Sequence, residues 1–323
     1  VSRDEGQERR AARRWTSRSV GAPWQHRFFY LLIRLGGRRA AYLFLYFVAA
    51  YYVLFRPDQR HKCDFYLRRR FPGTGPLGLL VHAWRMILAL GRVLIDRAVV
   101  GILGPGAADP ALEGKKELLD LVAGGQGVIL MGAHVGCWQT AMAALRLLDV
   151  PVSLLMQHEE GDVDRHFFEH SGGPFPFRII DPRGYLGGTL EMLAVLKQGE
   201  ILAVMGDRVQ GSEHNTLTVR FLGATVRFPL AAYRLAAATG APIGVLLSAK
   251  TGFETYRIRL AGVIRVAPGC GRRGQDFAPY AQRYACILEE YVRAYPYQFF
   301  NFFDLWEPET SAAAGPGPVA DKE

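Results

Sequence analysis

Two apolar runs in this chain finish alike. "VILMGAH" closes at His134 and "LAVMGDR" reaches Asp207, each passing through Met-Gly to a titratable side chain within two positions. An imidazole is the natural general base near neutral pH, and a carboxylate beside it orients the ring and stabilises the imidazolium. The nearest plausible position after His134 is Gln139, a neutral amide. Its carbonyl accepts a ring N–H but brings no charge. In the serine-protease triad, neutralising the equivalent acid costs about 10⁴ in rate, which is roughly 5–6 kcal/mol of barrier. Asp207 is the other candidate acid, on condition that the two strands are parallel neighbours and leave both residues at one rim. Gly132 and Gly136 flank His134 and permit close approach of backbone and substrate. The helix start that follows presents free N–H groups suited to an oxyanion.

Other candidates are more open. Arg208 beside Asp207 reads either as a phosphate ligand or as a structural ion pair with that carboxylate. Arg178 and Arg183 flank "IIDP" and are phosphate candidates or solvated surface. "HFFEH" matches H-x-x-E-H, so His166, Glu169 and His170 raise a metal hydrolase as a lesser alternative. "SGGPFPF" stops any helix there, and no third ligand in a helical context follows. His61, His82 and His214 show no partner. Tyr295–Trp306 holds seven aromatics in twelve residues. That run is expected to close the core, with Asn301 and Asp304 making fixing hydrogen bonds; a channel lining or a membrane-interface seat are the alternatives.

Short apolar runs that place these residues alternate with helical patterns. Strands are predicted over Val128–Met131, Val152–Leu155, Arg178–Ile180, Ile201–Met205, Leu217–Phe221, Thr225–Phe228, Ile243–Ser248 and Tyr256–Leu260. Helices are predicted over Leu112–Ala123, Trp138–Leu148, Leu186–Lys197 and Leu230–Thr239. The alternation implies an α/β fold with helices layered on a sheet. "FLGATV" reads as a hairpin through Gly223, so the sheet is expected to be mixed. In such sheets chemistry gathers at the carboxyl ends of the strands.

Cys63, Cys137, Cys270 and Cys286 are scattered and form no C-x-x-C pair, which argues against a disulfide framework or a cysteine-based zinc site. The net charge of +9 is uneven: residues 1–39 hold ten arginines against Asp4, Glu5 and Glu8, so +7 lies there. After this arm comes "AAYLFLYFVAAYYVLF", Ala40–Phe55, sixteen uncharged residues between Arg38–Arg39 and Arg56. As a helix it is about 24 Å long, short of the ~30 Å hydrocarbon core. This favours a monotopic or partly inserted anchor, with the arginines on an anionic membrane surface; a buried core helix is the alternative. Nucleic acid is disfavoured, because the body of the chain lacks a basic stripe with interleaved aromatics. The expected organisation is a disordered basic arm (1–22), a helical membrane-associated segment (23–105) and an α/β domain (106–308). A disordered tail (309–323) follows. "GPGAADP", Gly104–Pro110, marks the central boundary.

"GAHVGCWQTAMAAL", "GDR" followed by "VRFLG" and "FPLAAYRLA", and "YPYQFFNFFDLW" occur in that order. Together they resemble bacterial lysophospholipid-acyltransferase-like proteins, in the branch related to the lauroyl/myristoyl acyltransferases of lipid A assembly, over roughly Trp24 to Trp306. The resemblance implies an H-x-x-x-x-D/E signature whose histidine deprotonates an acceptor hydroxyl or amine. The acceptor then attacks the thioester of an acyl carrier protein or coenzyme A. Carried over, His134 is the base and Gln139 stands where the acid is expected; Cys137 stands where related sequences often have asparagine. Gly136, Cys137, Arg208 and Arg178 are the candidate substrate contacts. The resemblance implies a lipid or glycolipid acceptor at the cytoplasmic face of a bacterial inner membrane, and its chemistry requires no metal or organic cofactor. Three outcomes stay open: Gln139 orients the ring, Asp207 supplies the charge, or the chain is a non-catalytic lipid-binding relative.

Overall fold

Nine strands are present among the described residues of the computed structural model, which are 23–103, 109–137, 145, 150–156, 177–209, 215–271 and 273–306. In chain order they are β1 (Asp109–Glu113), β2 (Val128–Gly132), β3 (Val152–Leu155), β4 (Arg178–Ile180) and β5 (Ile201–Met205). They continue with β6 (Thr216–Phe221), β7 (Ala224–Pro229), β8 (Ile243–Lys250) and β9 (Thr255–Ile264). Seven form one sheet in the order β1-β9-β8-β2-β5-β3-β4. The run β8-β2-β5-β3-β4 is parallel throughout, and β9 turns back antiparallel to β8. The sheet is therefore mixed, as expected, but for a different reason. The "FLGATV" hairpin joins β6 to β7 in a separate two-stranded sheet, and the reversal comes from the turn between β8 and β9.

Strands β2 and β5 lie at the centre and are buried along "VILM" and "ILAV". Parallel strands covered on both faces read as continuous apolar runs, which is why they were legible. β1 was not foreseen. Pro110 argues against a strand interior, yet β1 pairs only with β9 at the sheet edge, where proline is tolerated. Leu112 belongs to this strand, and the following helix begins three residues later than predicted.

The helices are α1 (Pro23–Phe55), α2 (Pro57–Arg70), α3 (Pro76–Leu103), α4 (Lys115–Ala123), α5 (Thr189–Lys197), α6 (Ala231–Thr239) and α7 (Ala278–Ala294). Helix α7 was also unforeseen, although Ala281, Tyr284, Ala285, Leu288 and Val292 are buried at helical spacing. Of the helix predicted over Trp138–Leu148, only Leu145 is described; it is helical and buried. The expected arm (1–22) and tail (309–323) lie outside the described residues.

The apolar run after the basic arm forms the second limb of α1, which is broken at Gly37 (φ 64°, ψ −165°). Ala41, Leu45, Ala49 and Val53 recur every fourth residue and are buried. Ala41, Leu45 and Ala49 share a core with Leu88, Ile95 and Val99 of α3. The opposite face leaves Leu43, Phe47, Leu54 and Phe55 more than 60% exposed. This limb is thus half core helix and half bare apolar surface. Helix α3, over Pro76–Ile102, is long and apolar enough to cross a membrane; α1 and α2 meet that test only together, across a 90° bend.

Candidate active site

Pairing of β2 with β5 runs in register from Val128↔Ile201 to Gly132↔Met205. Two residues further on, the same register sets His134 opposite Asp207. Both emerge at the carboxyl rim of adjacent parallel strands, the arrangement that the twin Met-Gly endings required. The glycines serve each other's strand: a Cβ on Gly206 would meet Met131 Sδ at 2.6 Å, and one on Gly132 would meet Met205 Sδ at 3.3 Å. Gly206 N–H also donates to the Gly132 carbonyl (3.0 Å). Each methionine packs over the other strand's glycine, which holds the two strand ends at close, fixed separation.

Asp207 grips His134 twice. One carboxylate oxygen accepts from His134 Nδ1 at 2.8 Å and the other from the His134 backbone N–H at 3.0 Å. This fixes the ring proton on Nδ1 and leaves the lone pair on Nε2. The Asp207 side chain is fully buried, while that of His134 keeps 20% of its surface exposed. Burial alone would raise the Asp207 pKa. The charge and hydrogen bond of His134 oppose it, joined by the Arg208 charge and the Asn301 amide, and the carboxyl is held well below the usual range. A buried anion set against a part-exposed imidazole is the environment that stabilises an imidazolium during proton transfer.

The aromatic C-terminal run completes the seat. Phe300 N–H donates to the His134 carbonyl (2.8 Å), Gly136 N–H donates to the Gln298 carbonyl (3.1 Å), and Val135 bridges Phe299. Asn301 Nδ2 donates to Asp207 at 2.8 Å, and its carbonyl accepts from Arg208 Nε. Arg208 also donates to the Phe300 carbonyl (2.6 Å). Asn301 and Asp304 were expected to make fixing hydrogen bonds, and Asp304 accepts from the Trp306 N–H at 3.1 Å.

The proposed substrate contacts fare differently. Arg208 is only 6% exposed and spends these bonds on the Asn301 turn, which favours the structural alternative, a cation beside Asp207, over the phosphate reading. Gly136 (φ +52°) does allow a close approach, but the neighbour is Ser248: a Cβ there would lie 1.9 Å from the Ser248 carbonyl oxygen. Cys137 is buried, packs with Val93, Tyr256 and Phe300, and donates its N–H to Ser248 Oγ at 3.3 Å. Arg178 begins β4 and is paired with Glu200 at 3.4 Å. Its register through Ser153 and Leu202 sets it roughly 16 Å of strand away from Asp207, on the opposite rim. Arg183 pairs with Asp181 at 3.0 Å. Gln139, His166, Glu169 and His170 lie outside the described residues, as do the N–H groups expected to meet an oxyanion. Among the described residues, no cluster of three or more His, Cys, Asp or Glu could hold a metal ion.

Sequence reasoning missed three supports. Tyr284 hydroxyl donates to the Gly132 carbonyl (2.8 Å), and Tyr291 hydroxyl donates to the Ser248 carbonyl (2.8 Å). Both come from α7, and their helical spacing was the available signal. His82, for which no partner was visible, stacks on Phe71 with centroids 3.9 Å apart and meets the Tyr297 hydroxyl at 2.9 Å.

Residues 24–307 match the family described as bacterial lipid A biosynthesis acyltransferase. No curated protein matches. Among solved structures, the 1-acyl-sn-glycerophosphate (LPA) acyltransferase PlsC from Thermotoga maritima is similar at 14% identity and a TM-score of 0.34. The match covers 78% of this chain and 95% of that one. At that score the likeness says nothing about the site.

Proposed function

This chain belongs to the bacterial lipid A biosynthesis acyltransferase family, and from that premise we propose that it moves a fatty acyl chain from a thioester to a lipid or glycolipid. The donor is an acyl carrier protein or acyl-CoA thioester, and the acceptor group is a hydroxyl or an amine. The observation that carries the catalytic reading is the 2.8 Å contact between His134 Nδ1 and the fully buried Asp207. Nε2 of His134 takes the acceptor proton as the acceptor oxygen or nitrogen bonds to the thioester carbonyl carbon. The C–S bond then breaks, and Nε2 returns the proton to the departing thiolate. Asp207 holds the ring and balances its transient charge without itself being protonated. Asp207 therefore takes the acid's role in this proposal, and Gln139 is not required for it.

Two features support a seat at the cytoplasmic face of the inner membrane. The second limb of α1 exposes Leu43, Phe47, Leu54 and Phe55, and nine arginines besides the buried, ion-paired Arg38 lie within residues 1–39. Apolar side chains enter the interface while cations meet anionic lipid.

Purified chain incubated with acyl carrier protein thioester and a bacterial lipid extract is expected to yield acylated lipid. His134→Ala is expected to lower the rate by about 10²–10⁴-fold, the usual contribution of a positioned base. Full turnover in that variant, or lipid binding with no turnover in the wild type, would sink the proposal.

A further inference from the structure

A basic hollow lies between α3 and the Tyr295–Gln298 segment, with a volume of about 310 Å³. His134 does not line it. Arg85 and Arg92 both line it, seven residues apart and so on one face of α3, with Leu88 and Ala89 between them in the sequence. We propose that this hollow binds the phosphate of an anionic lipid headgroup.

The case begins with charge. Arg38, Arg178, Arg183 and Arg257 each have a carboxylate within 3.4 Å. Among the described residues, Arg85 and Arg92 have none, and only neutral groups meet them. Arg85 donates to the Tyr297 hydroxyl at 3.3 Å; Arg92 donates to the Tyr46 hydroxyl at 2.8 Å and lies over the Tyr42 and Tyr46 rings. A planar guanidinium fork suits phosphate oxygens. Two such forks, uncompensated around one hollow, form an anion site. The volume is at the lower end for a small-molecule pocket, about 300 Å³, which suits a headgroup and excludes a whole lipid.

The neighbouring surface identifies the source as a lipid. Tyr46, which holds Arg92, stands on the limb of α1 whose Leu43 and Phe47 are 66% and 68% exposed. Leu77 and Val81, in the turns of α3 before Arg85, are 76% and 45% exposed. Exposed apolar side chains thus flank Tyr46 on α1 and precede Arg85 on α3, so acyl chains have somewhere to lie while the headgroup enters. Gln298 also lines the hollow, and its carbonyl is the one that accepts the Gly136 N–H. Headgroup binding would thus act on the same segment that seats His134, although the proposal does not rest on acyl transfer.

The test uses the full chain and phosphatidylcholine vesicles, plain or doped with phosphatidic acid, with bound protein measured by co-sedimentation. Phosphatidic acid is expected to strengthen binding, and Arg85→Gln with Arg92→Gln to weaken that gain by about tenfold or more. Binding to plain vesicles should stay unchanged. Arg85→Gln alone, at an exposed position that does not endanger folding, should give part of the loss. Added glycerol phosphate should compete with the doped vesicles in the wild type and not in the double variant. Arg234→Gln with Arg283→Gln removes the same charge elsewhere and should have little effect. An equal loss in that control pair, an undiminished gain in the Arg85/Arg92 variant, or phosphate binding without any gain on doped vesicles would each overturn the proposal.

Discussion

Asp96 on α3 and Asp207 beyond β5 are 2% and 0% exposed, and each is surrounded by donors. Asp96 is met by Arg38 Nε at 3.0 Å, Lys250 Nζ at 2.7 Å, Tyr42 hydroxyl at 2.7 Å and Tyr256 hydroxyl at 2.5 Å. These partners come from α1, β8 and β9, and all of them are themselves buried or nearly so. Asp207 has Asn301 and Arg208 on its inner side, but its third partner is the part-exposed ring of His134. The first carboxylate is closed on every side and joins the helical segment to the sheet. The second is closed on all sides but one, and the open side ends in an ionisable nitrogen. Burial and full hydrogen bonding therefore do not distinguish a structural acid from a functional one; whether a partner reaches the outside does.

That contrast can be broken at either end. Asp96→Asn leaves Lys250 without its buried countercharge and Arg38 with only the exposed Glu254, and should cost about 3–5 kcal/mol of stability in denaturant unfolding. The rate per folded molecule should be unchanged; a lost rate with intact stability would reverse the assignment. Asn301→Ala is expected to act on rate instead. It removes the amide between Asp207 and Arg208, whose hydrogen bond to a charged group is worth about 1.5–3 kcal/mol and steadies the carboxylate as the imidazolium forms. Expressed in kcat, the loss would be about 10–100-fold, with KM little changed; an unaltered kcat would remove Asn301 from the positioning set.

The smallest effect concerns pH. The Asp207 pKa is depressed by folding, so its stabilising share is complete above the ordinary carboxylate value, near 4. It is lost as pH falls from there through the depressed folded-state value. Unfolding midpoints of the wild type should therefore drop more steeply below about pH 4 than those of Asp207→Asn. Parallel curves would mean that Asp207 is not held as an anion.

Much of this site was legible because local patterns and the sheet agree. The repeated Met-Gly ending marked two strand ends, and once those strands are parallel neighbours, His134 and Asp207 must meet. Asn301 was legible as a polar residue set among aromatics. The alternatives for Arg178 and Arg208 could not be narrowed from sequence, which shows that an arginine is near a strand end, but not which rim it occupies or which carbonyl it already serves. Gly136 shows the same limit, since its need for close approach was visible and the neighbour, Ser248, was not. The Asp96 cluster draws on residues as far apart as Arg38 and Tyr256. A lone carboxylate inside the apolar "RVLIDRAVV" was its only advance sign.

The central claim is that charge reaches His134 from Asp207 and not from the position occupied by Gln139. Asp207→Asn and Gln139→Ala, compared in one acyl-transfer assay, test it directly. The expected result is a fall in kcat of about 10⁴ for Asp207→Asn, as when the acid of a catalytic triad is neutralised, and a minor change for Gln139→Ala. Near-normal transfer by Asp207→Asn with collapse in Gln139→Ala would contradict the account.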